Sequence, residues 1–214
     1  VCNVNQMEKQ FALCLQGRTR SETNFSDASF EEADCIAAID QSGFRLGRVY
    51  YHIMKLLAAY FAGQYDDALK WAERTEPMLL QVSSMANEAT CYFYHALTLT
   101  ALYEHSSTKR QREFMGLLGD ILQKLKYWAD NCPENFANRY ILVFAEVARL
   151  EKRDQDAMKL YEQAIASARK NGFIHNEAVA YEVAASFYRQ RGYEKFARTY
   201  LTEAATCYFN WGAL

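Results

Sequence analysis

Glycine and proline are scarce in this chain, at 9 and 2 of 214 residues. An all-β fold needs a turn about every 8–12 residues, so so little punctuation excludes one and leaves a mostly helical chain. The six cysteines (Cys2, Cys14, Cys35, Cys91, Cys132, Cys207) show no C-x-x-C spacing. Disulfide frameworks belong to small secreted domains behind a signal segment, and neither condition holds, so the thiols are expected to be reduced and structural. Charge of one sign is also lacking: 24 Lys and Arg stand against 26 Asp and Glu, for a net charge of −2. That balance offers no electrostatic argument for nucleic acid or an anionic membrane. The longest apolar run, residues 141–150, is broken by Glu146 and Arg149 and falls short of the roughly 20 residues a membrane span needs. A cytoplasmic protein is expected. The chain opens at Val1 without a methionine, which leads to the expectation of a fragment of a larger chain.

Chemistry-bearing motifs are missing as well. There is no G-x-x-x-x-G-K-[ST] phosphate loop, no H-R-D triplet and no strand-to-helix elbow that would activate a serine. His52, His95, His105 and His175 are scattered. Only Cys91 and His95 share an i, i+4 spacing, and two ligands do not make a metal site. The cluster Lys109-Arg110-Gln111-Arg112 reads as a solvated helix start. No catalytic residue, metal or cofactor is assigned, and the chain is expected not to be an enzyme.

What is present is a hydrophobic half of the sequence and an internal repeat. From Tyr181 the pattern runs through Ala184-Ala185, Tyr188, Gly192-Tyr193, Ala197, Leu201 and Ala204. Forty residues earlier it runs from Ile141 through Phe144-Ala145, Ala148, Ala157, Tyr161 and Ala164. Each copy is a helix, a break and a second helix, with small residues where the pair must touch. A third copy starts at His52, with Leu56, Ala59, Gly63-Gln64-Tyr65, Ala68, Ala72 and Thr75. His52 and Lys55 stand there at positions that are apolar or aromatic in the other two. Residues 92–103 and 111–128 supply one irregular hairpin between. The organisation expected is one helical-repeat domain over residues 1–214, with irregular helices and an exposed loop in 1–40 and about four hairpins in 41–214. Pro133 suits the first position of a helix, Asn171-Gly172 a helix end, and Pro77 a bend or stop late in a helix.

This pattern resembles the tetratricopeptide repeat, which implies an all-α superhelix of antiparallel hairpins, an α-α solenoid. The stretches Ala62-Gly63-Gln64-Tyr65-Asp66-Asp67-Ala68-Leu69, Ala157-Met158-Lys159-Leu160-Tyr161-Glu162-Gln163-Ala164-Ile165 and Asn171-Gly172-Phe173-Ile174-His175-Asn176-Glu177-Ala178 carry a closer likeness. With the ending Tyr208-Phe209-Asn210-Trp211-Gly212-Ala213 they resemble the helical-repeat region of large bacterial signalling kinases. In those, a Ser/Thr kinase-like and an AAA-type ATPase domain precede the repeats, and a GAF domain and a histidine kinase follow.

The resemblance implies a groove lined by the first helix of each hairpin. Helical periodicity places Tyr50, Met54 or Leu57, and Tyr60 there in the first hairpin, Arg139, Glu146 and Arg149 in the third, and Glu182, Ser186 and Arg189 in the fourth. The same strip also fits an ordinary solvated face with ion pairs such as Glu146–Arg189. The Lys and Asn series by which some members grip a terminal carboxylate is absent. The function expected is a non-catalytic interaction or regulatory module of a signalling kinase, with a protein or peptide partner that includes other domains of the parent chain. A small-molecule sensor and a passive spacer are the alternatives.

Overall fold

The computed structural model describes residues 2–83 and 85–213, so Val1, Ser84, Leu214 and the side chains of Cys2, Asn3, Gln81 and Val82 lie outside the described set. Among the described residues ten α-helices run in order: α1 (Cys2–Leu15), α2 (Glu32–Gln41), α3 (Arg45–Phe61), α4 (Tyr65–Thr75), α5 (Ala86–Tyr103), α6 (Thr108–Asn131), α7 (Pro133–Leu150), α8 (Asp154–Lys170), α9 (Ile174–Gln190) and α10 (Glu194–Trp211). A 3-10 segment, Glu76–Val82, follows α4. Among the described residues the only β-type pairing is an isolated bridge between Ser21 and Asn24, and no helix is long and apolar enough to cross a membrane. The protein is all-α, built of adjacent helix pairs as a tetratricopeptide-like solenoid requires. Its contacts divide into two compact units, Val1–His105 and Ser106–Ala213.

In the second unit α7 pairs with α8 and α9 with α10, while α9 also packs on both α7 and α8. Alanines make the close approaches. Ala157, Ala164, Ala168, Ala184, Ala185 and Ala197 are all 0% exposed, because a larger side chain there would force the helix axes apart. The helix α6 packs on α7 through a single stripe, Phe114, Leu118, Ile121, Leu125 and Ala129. Pro133 opens α7, where its missing N–H costs no helical hydrogen bond.

Positive-φ residues recur every twenty positions in this unit, at Lys152, Gly172, Gly192 and Gly212. After each of the first three, the next N–H bonds back to a carbonyl five residues earlier: Arg153 to Ala148, Phe173 to Ala168 and Tyr193 to Tyr188, at 2.9 Å each. These are Schellman turns, and they set the forty-residue repeat as two equal lengths of helix plus turn.

In the first unit α3 and α4 pair around Gly63, and α1 and α2 pack on α3. Pro77 falls just after the end of α4, inside the 3-10 segment. Gly47 of α3 leaves no room for a side chain: a Cβ there would meet the Phe44 ring at 2.7 Å, Val4 of α1 at 3.1 Å and Ile39 of α2 at 3.2 Å. The stretch between α1 and α2 differs from the exposed loop expected of it. Phe25 and Ser26 are 0% exposed, and Phe25 joins a core with Val4, Met7, Cys14, Ile39, Met54 and Ala58. The polar residues around Phe25 satisfy the backbone locally, through Asp27 to Ser29 and Phe30 and through Asn24 to Ser26, so the ring can be buried.

Candidate functional site

The candidate positions on α7 lie inside the second unit. Arg139, Glu146 and Arg149 are 8%, 5% and 5% exposed. The Arg149 guanidinium donates to both oxygens of Glu146, at 3.0 and 2.9 Å, and the Tyr161 hydroxyl of α8 donates to Glu146 Oε1 as well. Burial, with the Glu146 carboxylate beside it, pushes that hydroxyl well above the usual tyrosine range, so it stays protonated and remains a donor. The Tyr161 ring lies 5.4 Å from Phe187 of α9. Asn176 of α9 donates to Asn138 of α7 at 2.7 Å, and Arg169 of α8 donates to Glu177 and Tyr181 of α9. These positions therefore belong to the junction of α7, α8 and α9. The expected Glu146–Arg189 pair does not form, because Glu146 is taken by Arg149 on its own helix while Arg189 points to solvent.

The candidate positions on α9 are placed differently. Glu182, Ser186 and Arg189 are all exposed and fall on one face, four and three residues apart. Tyr208 of α10 donates to Glu182 at 2.6 Å, so the α9 row continues onto α10. Next to Tyr208 stands Phe209, 67% exposed. An exposed aromatic pair, Tyr193 and Phe196, sits at the α9–α10 turn against Tyr188.

The first-hairpin candidates are on α3 in the first unit. Tyr60 is buried in an aromatic cluster, 5.1 Å from Tyr94 and 5.6 Å from Tyr65. Leu57 and Tyr50 are half-buried, and Tyr50 borders the core that holds Met54. Of the nine candidates, only Glu182, Ser186 and Arg189 form an open row.

A polar centre in the first unit escaped the sequence reading. Glu32 accepts from the Phe25 N–H and the Tyr51 hydroxyl at 2.7 Å each, and pairs with Lys55 at 2.8 Å. Lys55 also donates to the Thr23 carbonyl, and its ammonium stands 4.7 Å over the Phe25 ring. The centre fastens the segment between α1 and α2 onto α3. The signal for it was Lys55 itself, a cation at a repeat position that is apolar or aromatic elsewhere. Beside it His52 is held down to about 4, first by burial and then by Arg48 and Arg74, so its imidazole is neutral. An open cleft of about 370 Å³ lies near the α2–α3 turn, lined by Ile39, Asp40, Phe44, Arg48 and Met78 among others.

Cys91 and His95 are core residues. Burial pushes the thiol up to about 12 and the imidazole down to about 4, which keeps both neutral and the thiol unreactive. Among the described residues no group of three or more His, Cys, Asp or Glu is placed to hold a metal ion.

A family model described as CHK1-like, TPR repeats matches residues 39–186, more than half of the chain. No curated protein and no solved structure matches it.

Proposed function

The chain belongs to the family of CHK1-like TPR repeats, and on that premise we propose that it is a non-catalytic regulatory module of a multi-domain signal-transduction kinase. Repeats of this kind generally mediate protein–protein interaction, which suggests a protein-interaction module. The observation that carries the reading is the exposed row Glu182, Ser186 and Arg189 on a helix whose other faces are packed. Mixed charge beside exposed aromatics suits a protein surface better than a small apolar ligand. Support for the kinase setting comes from the likeness of the repeat stretches to those of large signalling kinases. A partner on the α9 row would shift how the module packs against its neighbours and so bias the parent's activity.

The test is a pull-down of the remaining parts of the parent protein on the immobilised chain. Capture of at least one of them, weakened by Glu182→Ala with Arg189→Ala, is expected. Absence of capture of any part would overturn the reading. A small-effector sensor is the second reading, and the cleft beside Asp40 and Arg48 favours it. A thermal-shift screen against metabolites would move the melting temperature if that reading holds.

A further inference from the structure

The cleft of about 370 Å³ in the first unit has a lining of two kinds. Ile39, at the end of α2, is 3% exposed, and Phe44 and Met78 are half-buried, so part of the lining is apolar and withdrawn from water. Asp40, Arg45 and Arg48 supply the polar part. The size falls at the small end of the range that organic ligands occupy, about 300–1,000 Å³. Such sites join an apolar lining to a few fixed polar groups, and both are present. The lining residues come from α2, the turn after it, α3 and the 3-10 segment, with α1 before them and α5 after them in the same compact unit.

The charges on this lining do not cancel. Arg48 donates to both Asp40 oxygens, through Nε at 2.7 Å and through Nη2. The guanidinium holds the Asp40 carboxyl below its usual range, so that carboxylate is ionised and already paired. Arg45 is exposed, and among the described residues it makes no ion pair or side-chain hydrogen bond. No acidic residue stands in the first turn of α3 to answer it. Two guanidiniums against one carboxylate leave a single positive charge over, beside an apolar wall. A carboxylate meets a guanidinium with two parallel hydrogen bonds, and its one negative charge completes the balance. A phosphate monoester brings about −1.5 to −2, which overshoots that balance next to Asp40. On the apolar side, the Phe44 ring and the Met78 thioether both favour an aromatic partner.

We infer that this cleft is a binding site for a small aromatic monocarboxylate, its carboxylate on Arg45 and its ring against Phe44 and Met78. Arg48 is a positioning residue: by neutralising Asp40 it removes the repulsion that an incoming carboxylate would meet. The inference deepens the small-effector reading of the cleft and rests on it, and the row on α9 takes no part in it.

Isothermal titration of the intact chain with 3-phenylpropionate tests it, with 3-phenylpropanol, acetate and phenyl phosphate as comparisons. The acid is expected to bind one to one, roughly tenfold more tightly than the alcohol, which lacks the charge. Acetate, which lacks the ring, and phenyl phosphate are expected to bind more weakly too. Arg45→Gln is expected to weaken 3-phenylpropionate roughly tenfold and Met78→Ala roughly fivefold, while Lys195→Gln on the exposed surface of α10 changes nothing. Because Arg45 is exposed and unpaired, its variant is expected to keep the melting temperature of the unliganded chain. No saturable binding, equal binding of acid and alcohol, or a preference for phenyl phosphate would overturn the inference. So would binding that Arg45→Gln leaves intact or that Lys195→Gln weakens equally. A metabolite that shifts the melting temperature alike in the wild type and Arg45→Gln would overturn this site while leaving the small-effector reading standing.

Discussion

Lys55→Met isolates the polar centre that pins the N-terminal segment to α3. The Lys55 and Glu32 side chains are 11% and 12% exposed, so the pair is largely withdrawn from water. Removing one partner of a buried pair costs about 3–5 kcal/mol, mostly because the other charge is stranded. After Lys55→Met, Glu32 keeps the Phe25 N–H and Tyr51 hydroxyl as donors, which places the loss near the lower bound, about 3 kcal/mol. Glu32→Leu strands an ammonium and leaves both donors unpaired, so about 4–5 kcal/mol is expected. The double variant strands no charge and leaves the Phe25 N–H, the Tyr51 hydroxyl and the Thr23 carbonyl, at about 1 kcal/mol each. Its loss of about 3 kcal/mol falls well below the sum of the two singles. Urea unfolding followed by the fluorescence of Trp71, which packs 5.7 Å from Tyr51, reads all three variants. Trypsin cleavage at the exposed Arg18 and Arg20 reports release of the segment. Single losses below 1 kcal/mol, or losses that simply add, would refute the reasoning, because either result means the pair is solvated and the segment is held by Phe25 alone.

Other consequences follow from turns and protonation. Lys152 occupies the left-handed region at φ 62°, where Gly172 and Gly192 stand in the sister turns, so Lys152→Gly is expected to stabilise the chain by about 0.5–1 kcal/mol in urea melts. The converse, Gly172→Ala, meets no atom within 4 Å and costs only the backbone conformation, about 1 kcal/mol; a loss above 3 kcal/mol would contradict that. His95 is buried and held down to about 4, below its unfolded value near 6.5. The unfolded chain therefore binds the extra proton between those values, and stability falls as pH drops from 6.5 toward 4. His95→Phe should flatten the pH 7-to-5 difference in unfolding free energy by about 1–2 kcal/mol, and an unchanged slope would count against a neutral imidazole. Tyr161→Phe removes a donor from Glu146 and should cost about 1–2 kcal/mol by thermal melt, with no loss expected if the hydroxyl were solvated.

Much of the fold was legible because its determinants are local. Helical periodicity, the alanines at 157 and 197, and the breaks at Gly63, Gly172 and Gly192 each act over a few residues, and the helices start and stop within a few positions of where they point. Pro133 opens α7 for the same reason. The segment between α1 and α2 was not legible in this way. Its Ser, Asn, Asp and Gly content reads as exposed loop, and those residues do form turns. But the turns serve to carry Phe25 inward, toward Lys55 and Glu32, which lie 30 and 7 residues away along the chain.

The amino-acid sequence by itself determined an all-α chain of hairpins and the phase of each helix, including which residues share a face with Glu146 or with Ser186. Phase does not say what lies opposite. Glu146 and Arg149 occupy the same register as Ser186 and Arg189, yet α9 buries the first pair and nothing described covers the second. Only the tertiary structure decided that difference, because burial depends on which neighbouring helix is seated on a face, and no residue within the face encodes its neighbour. The mixed-charge strip that reads as one continuous surface is therefore two: an internal brace around Tyr161 and an open row beside Tyr208 and Phe209.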